Sequence, residues 1–179
     1  TPKEFIKLDL GYITLDAYMI KPKDFDPTKK YPVIIDVYGE PAGSTVQDNW
    51  TGGDISAHRQ ADKGYIMVSI ENRGANVPRG REWRKCIYKQ IGIHASADQA
   101  AGIKKMGEMF PFIDMERIGI TGWSGGGSTT LQCMFRYPDL FKTDTGVLIQ
   151  AAPDHQSAAT VVPSLRPPKV LRSGALCMP

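Results

Sequence analysis

The chain has 179 residues, 41% hydrophobic and 23% charged, with a formal net charge of +3. This length supports one sizeable core, and the small charge, unaccompanied by stacking aromatics or a recognition motif, argues against nucleic-acid binding. No apolar run approaches the length of a membrane span, the N-terminus Thr-Pro-Lys-Glu has no signal-peptide character, and the three widely spaced cysteines, Cys86, Cys133 and Cys177, provide neither a disulfide framework nor a zinc site.

Residues 5 to 20 alternate as two antiparallel strands, with Ile13, Leu15, Ala17 and Met19 on one face and Gly11-Tyr12 near the turn. After a polar, proline-punctuated connector, Val33 to Tyr38 is nearly continuous in apolar residues, as in a strand covered on both faces. A helix is expected over Asp54 to Lys63, ending at Gly64, followed by a strand over Tyr65 to Ile70. The basic cluster Arg79, Arg81, Arg84, Lys85 and Lys89 reads as a solvated loop between core elements. A second helix is expected from Ser96 to Met109, with Ala100, Ile103, Met106 and Phe110 on one face.

Residues 117 to 136 read as a short strand carrying Ile118 and Ile120, a sharp turn at Ser124, and a helix whose apolar face holds Leu131, Met134 and Phe135 and which Pro138 closes. Cys133 falls on that side as a buried thiol. Gly122 and Gly126 flank the serine and permit a tight, strained backbone that lifts the hydroxyl above a sheet, while the helix N-terminus offers N–H donors to an oxyanion. The competing phosphate-loop reading lacks its lysine: Ser128 follows Gly127. A further strand is expected over Gly146 to Ile149. Alternating strands and helices specify an α/β fold with a mostly parallel sheet and an antiparallel N-terminal hairpin, whose ligands gather at the carboxyl ends of the strands. Both Ser124 and Tyr38 fall at such ends.

Four blocks of sequence, Lys30 to Gly39, Ile70 to Gly74, Asp98 to Ile118 and Gly122-Trp123-Ser124-Gly125-Gly126, resemble the catalytic domain of the prolyl oligopeptidase family of serine peptidases, its dipeptidyl peptidase IV branch in particular. The resemblance spans roughly residues 10 to 150. It implies an α/β-hydrolase fold and a serine peptidase that hydrolyses short peptides, often after proline, without metal or cofactor. It further implies Ser124 as nucleophile, with the Gly125 N–H and the Tyr38 hydroxyl holding the oxyanion, although on residues alone Tyr38 reads as packing. Trp123 would pack behind the elbow, and Arg73 and Trp50 would be structural. Position 125, often a large aromatic in that branch, is glycine here, which would enlarge the pocket.

In this fold the acid and then the base follow the serine, so His58, in a helix, and His94, just before one, lie upstream of their proper place. Asp154 and His155 follow Ser124, but adjacent side chains point apart in an extended segment, which disfavours them as triad partners. The family-like register fades between Lys142 and Ala152. The expectation is a C-terminally incomplete hydrolase domain over residues 1–152, an irregular or disordered tail over 153–179, and a truncated or frame-disrupted piece of a longer peptidase with impaired turnover. No counterpart of the family's N-terminal propeller is expected within these residues. An esterase of the same fold, or a non-catalytic fragment self-associating through an unpaired sheet edge, are the competing readings. Relatives of this kind are periplasmic or secreted in bacteria and cytosolic elsewhere, and the residues do not choose between these.

Overall fold

The computed structural model describes residues 1–41, 43–50, 52–142 and 149–150. Among the described residues, ten elements run in the order β1 (Glu4–Asp9), β2 (Thr14–Ile20), β3 (Tyr31–Asp36), α1 (Gly52–Asp62), β4 (Ile66–Ile70), α2 (Gly80–Lys85), α3 (Ile93–Met109), β5 (Ile113–Trp123), α4 (Gly125–Arg136) and β6 (Ile149–Gln150). They form one six-stranded sheet of order β1-β2-β4-β3-β5-β6. The β1–β2 and β2–β4 pairs are antiparallel, and β4–β3, β3–β5 and β5–β6 are parallel. Of the expected strand over Gly146 to Ile149, only Ile149 is among the described residues. The tail over 153–179 lies outside them.

Each face of the sheet buries its own apolar cluster, because alternate residues of a strand point to opposite sides. The larger cluster gathers Leu15, Ala17 and Met19 of β2, Val33 and Ile35 of β3, Ile118 and Ile120 of β5, and Ala100, Ile103 and Met106 of α3. The smaller one, around Tyr18, Ile20 and Met67, is covered by Ala57 and Ala61 of α1. The chain therefore leaves β3 for one face through α1, and leaves β5 for the other through α4, which packs on β5 and α3. Neighbouring strands whose connections depart to opposite faces open a crevice at their carboxyl ends, the place where α/β sheets bind ligands.

Several expectations are corrected. The basic segment is solvated, with Arg81, Arg84, Lys85 and Lys89 exposed, but it is not a loop throughout: Gly80–Lys85 is helical, and Trp83 anchors it by donating its indole N–H to the Ala75 carbonyl at 3.1 Å and joining the larger cluster. Arg79 reaches back to the Thr14 carbonyl and the Asp16 carboxylate, each at 2.5 Å, and lies over the Trp83 ring. These are tertiary contacts, invisible to a charge count. Helix α3 begins at Ile93, so His94 stands inside it. Strand β3 ends at Asp36, two residues before Tyr38, and β5 starts at Ile113 rather than near Ile118. Helix α4 buries its small residues, Gly126, Thr129, Thr130 and Cys133, while Phe135 is 80% exposed. It lies so close to the strand ends and α3 that only small side chains fit between.

Candidate active site

Ser124 is the junction between β5 and α4, and its backbone is strained. Its φ of 56° and ψ of −116° lie in a region that residues with a Cβ avoid. The surroundings enforce this geometry: a Cβ built on Gly122 would overlap the Val37 carbonyl oxygen and the Gly126 backbone, and one built on Gly126 would overlap the same Val37 oxygen. Glycine at both positions lets the first turn of α4 fold directly over the end of β3. The serine side chain is exposed. Ser124 also supplies the first helical acceptor, its carbonyl receiving the Ser128 N–H at 3.2 Å, and the N–H groups of the glycines that follow open α4 towards the crevice.

The segment after β3 lies across this elbow. The Val37 N–H donates to the Thr121 carbonyl at 2.9 Å, which continues the β3–β5 pairing beyond the strand. The Thr129 hydroxyl, on the second turn of α4, bridges the Tyr38 carbonyl at 3.3 Å and the Gly125 carbonyl at 3.1 Å. Gly39, at φ 81°, presses against Thr129 where no side chain would fit. Tyr38 is half-buried, with Gly43 packed on its ring.

The turn after β4 secures the far end of the same segment. Glu71, almost fully buried, accepts the Thr45 and Val46 N–H groups at 3.0 and 3.1 Å and the Ser44 hydroxyl. Burial pushes its carboxyl above the usual range, and these hydrogen bonds offset only part of the rise. The Asn76 N–H donates to the Gly43 carbonyl at 3.2 Å. One residue along from Asn72, Arg73 grips the fully buried Asp98 of α3 with its backbone N–H at 2.8 Å, Nε at 3.0 Å and Nη2 at 2.7 Å, so its structural role holds. Gln99 of α3 donates to the Ile70 carbonyl at 2.8 Å.

The structure thus brings together Ser124, Gly125 and the Tyr38 segment, and it leaves other expectations apart. Trp123 does not pack behind the elbow but is 60% exposed, since the last residue of β5 points away from the core. Trp50 is exposed and stacks on His58 of α1 at 5.3 Å between ring centres. His94 is half-buried in the first turn of α3. Neither histidine hydrogen-bonds Ser124 among the described residues, and Asp154 and His155 lie outside them. Sequence reasoning missed Thr129, Glu71 and Glu40, whose carboxyl group occupies the space where a side chain on Gly125 would begin. The available signal was an ionisable residue immediately after an apolar strand, as in Ile70-Glu71, at an end where sites form.

A strained serine between strand and helix, at the switch point of a mixed sheet with helices on both faces, is the strand–turn–helix arrangement of the α/β-hydrolase fold. Residues 54–150 match the profile of the prolyl oligopeptidase family. The chain belongs to that family of serine peptidases. It is 33% identical to mouse dipeptidyl peptidase 8 over 156 residues, covering 86% of this chain and 17% of that protein. It is 35% identical to human prolyl endopeptidase FAP over 147 residues, covering 82% and 19%. Among solved structures, Porphyromonas gingivalis dipeptidyl peptidase 4 superposes with a TM-score of 0.67 at 38% identity, over 79% of this chain and 20% of that one. The chain therefore spans about a fifth of the length of these relatives.

Proposed function

We propose that this chain carries the nucleophile half of a peptidase that cleaves short peptides after proline, through an acyl-enzyme on Ser124. The observation that carries the reading is the exposed, strained Ser124 opening α4, with the Tyr38 segment hydrogen-bonded across it. In the reaction Oγ attacks the scissile carbonyl carbon, and the oxygen turns anionic between the Gly125 N–H and the Tyr38 hydroxyl. The C–N bond then breaks, the amine leaves with the serine proton, and water hydrolyses the ester. Each preorganised oxyanion donor contributes about 2.7–4 kcal/mol in comparable sites.

A base must also take the proton from Oγ. His58 stacks on Trp50 and His94 sits in the first turn of α3. Asp154 and His155 stay candidates for acid and base, and the isolated chain turns over feebly if they do not serve, because loss of triad partners costs on the order of a million-fold.

An active-site phosphonate tests the nucleophile: labelling of the wild type, absent in Ser124→Ala, supports the reading, and unlabelled folded protein refutes it. A Gly-Pro anilide set against a p-nitrophenyl ester tests the substrate. Preference for the ester would replace the peptidase with an acyl hydrolase.

A further inference from the structure

We propose that Glu71 is a positioning residue for the oxyanion donor: its carboxylate gathers residues 44–46, seats Gly43 against the Tyr38 ring, and acylation of Ser124 slows when that carboxylate is neutralised. The inference deepens the proposed function, resting on Ser124 as nucleophile and the Tyr38 hydroxyl as oxyanion donor. Tyr38 is tied through its backbone, where the Thr129 hydroxyl donates to its carbonyl at 3.3 Å. That bond leaves the direction of the ring open. Gly43 bears on the ring: a Cβ built there would lie 3.0 Å from Cδ1 and 3.1 Å from Cε1 of Tyr38, so the Gly43 backbone rests along that edge. The Asn76 N–H holds the Gly43 carbonyl at 3.2 Å, and the next three residues converge on a single atom. Oε2 of Glu71 accepts the Ser44 hydroxyl, the Thr45 N–H at 3.0 Å and the Val46 N–H at 3.1 Å. Three donors on one oxygen suit the anion, because hydrogen bonds to an ionised acceptor are about twice as strong as neutral ones.

Glu71 is 3% exposed, and its own N–H donates to the Asp16 carbonyl of β2 at 2.8 Å. The charges around it are mostly engaged elsewhere. Asp16 is paired with Lys7 and Arg79, Asp98 of α3 is paired with Arg73, and residues 43–46 bring no ionisable side chain. Burial raises the Glu71 carboxyl above its ordinary range; the bonds from Ser44, Val46 and Thr45 oppose that rise, and repulsion from Asp16 adds to it. Protonation therefore occurs at a higher pH than for a free glutamate, and it removes the charge on which the three donors converge. The 43–46 segment then relaxes and the Tyr38 ring loses its backing. A misplacement of about 1 Å in a catalytic group costs on the order of a hundredfold in rate, so partial relaxation should cost about tenfold.

The test is a double-mutant cycle read by a glycyl-prolyl diphenyl phosphonate, whose labelling forms the Oγ–P bond and expels phenol with the serine proton. Second-order labelling rates are measured on the full chain for wild type, Glu71→Gln, Tyr38→Phe and the double variant, between about pH 5 and 8. Glutamine keeps an acceptor but stays neutral, so the rate of wild type over Glu71→Gln should climb with pH from near unity to roughly tenfold as Glu71 ionises. Tyr38→Phe should slow labelling on the order of a hundredfold. In that background, with no hydroxyl left to place, Glu71→Gln should change nothing at any pH, whereas a merely structural role would slow both backgrounds alike. A pH-independent ratio, or the same ratio with and without the Tyr38 hydroxyl, overturns the inference while leaving Ser124 and Tyr38 in their roles. If Tyr38→Phe labels as fast as wild type, the inference falls together with the oxyanion role of Tyr38, and Ser124 stands. If folded wild type is not labelled, all of them fall. Should Glu71→Gln fail to fold, Ser44→Ala decides: losing that donor raises the Glu71 carboxyl further, so the acidic limb of the labelling rate should move to higher pH with Tyr38 present and stay in place with Tyr38→Phe. A limb that does not move refutes the coupling.

Discussion

The carbonyl oxygen of Val37 fills the space in which a side chain on Gly126 would begin. The end of β3 and the first turn of α4 therefore touch backbone to backbone. Gly126→Ala should force them apart and lower stability by about 1–3 kcal/mol, the usual cost of overpacking. Gly11→Ala meets open space and bears only the backbone cost of its φ of 83°, about 1–2 kcal/mol. Urea unfolding compares the two, and phosphonate labelling should be lost in Gly126→Ala alone.

Ser124 holds a backbone conformation suited to glycine. Ser124→Gly should raise unfolding stability by about 1 kcal/mol or more by removing that strain, while Ser124→Ala should not. Both would abolish labelling. Equal midpoints for the two variants would show that the elbow is not strained.

Asp98 is fully buried and holds Arg73 through its backbone N–H and two guanidinium nitrogens. Arg73→Met should cost about 3–5 kcal/mol, because it strands a buried carboxylate, and adding Asp98→Leu should recover much of the loss. The exposed Lys105–Glu108 pair offers a contrast, since its removal should change stability by under about 0.5 kcal/mol. Thermal unfolding of the three variants checks the ranking.

Glu71 is held above its ordinary carboxyl range by burial. A proton is therefore bound more tightly in the folded state than in the unfolded one. The stability this contributes is fully present below the unfolded value of 4.5 and is lost as pH rises through the raised folded value. Glu71→Gln keeps one acceptor for the Thr45 and Val46 amides but does not titrate. The stability of the wild type relative to Glu71→Gln, measured by urea unfolding, should fall from pH 4 towards neutrality; a difference that is flat or rising with pH would contradict this account.

Cys133 lies fully buried on α4, and burial pushes its thiol up to about 12. Cys86 is exposed at the end of α2. Iodoacetamide at pH 8 should alkylate Cys86 in the native protein and reach Cys133 only after denaturation, as peptide mapping would reveal. Alkylation of native Cys133 would mean that α4 opens locally.

Much of the fold was legible in the sequence because its signals are local. Alternation from 5 to 20 marks the hairpin, continuous apolar runs mark β3 and β4, and the glycines about Ser124 mark a turn that no other residue could make. Less visible was anything set by residues far apart. The basic segment becomes helical because Trp83 finds Ala75 and the core, and the inward face of α4 is glycine and threonine because close approach, rather than hydrophobicity, governs that packing.

The site divides along the same line. Sequence alone placed Ser124 in a turn between a strand and a helix, since the strand, the Gly-x-Ser-x-Gly turn and the helix are consecutive and their geometry depends on neighbours in the chain. Tertiary structure alone laid the Tyr38 segment across α4 through Thr129, pinned that segment to Glu71, and set the Glu40 carboxyl against Gly125. Those positions follow from how β3, β4 and β5 stack side by side. Residues tens of positions apart meet there through close packing and buried hydrogen bonds, which no local pattern encodes.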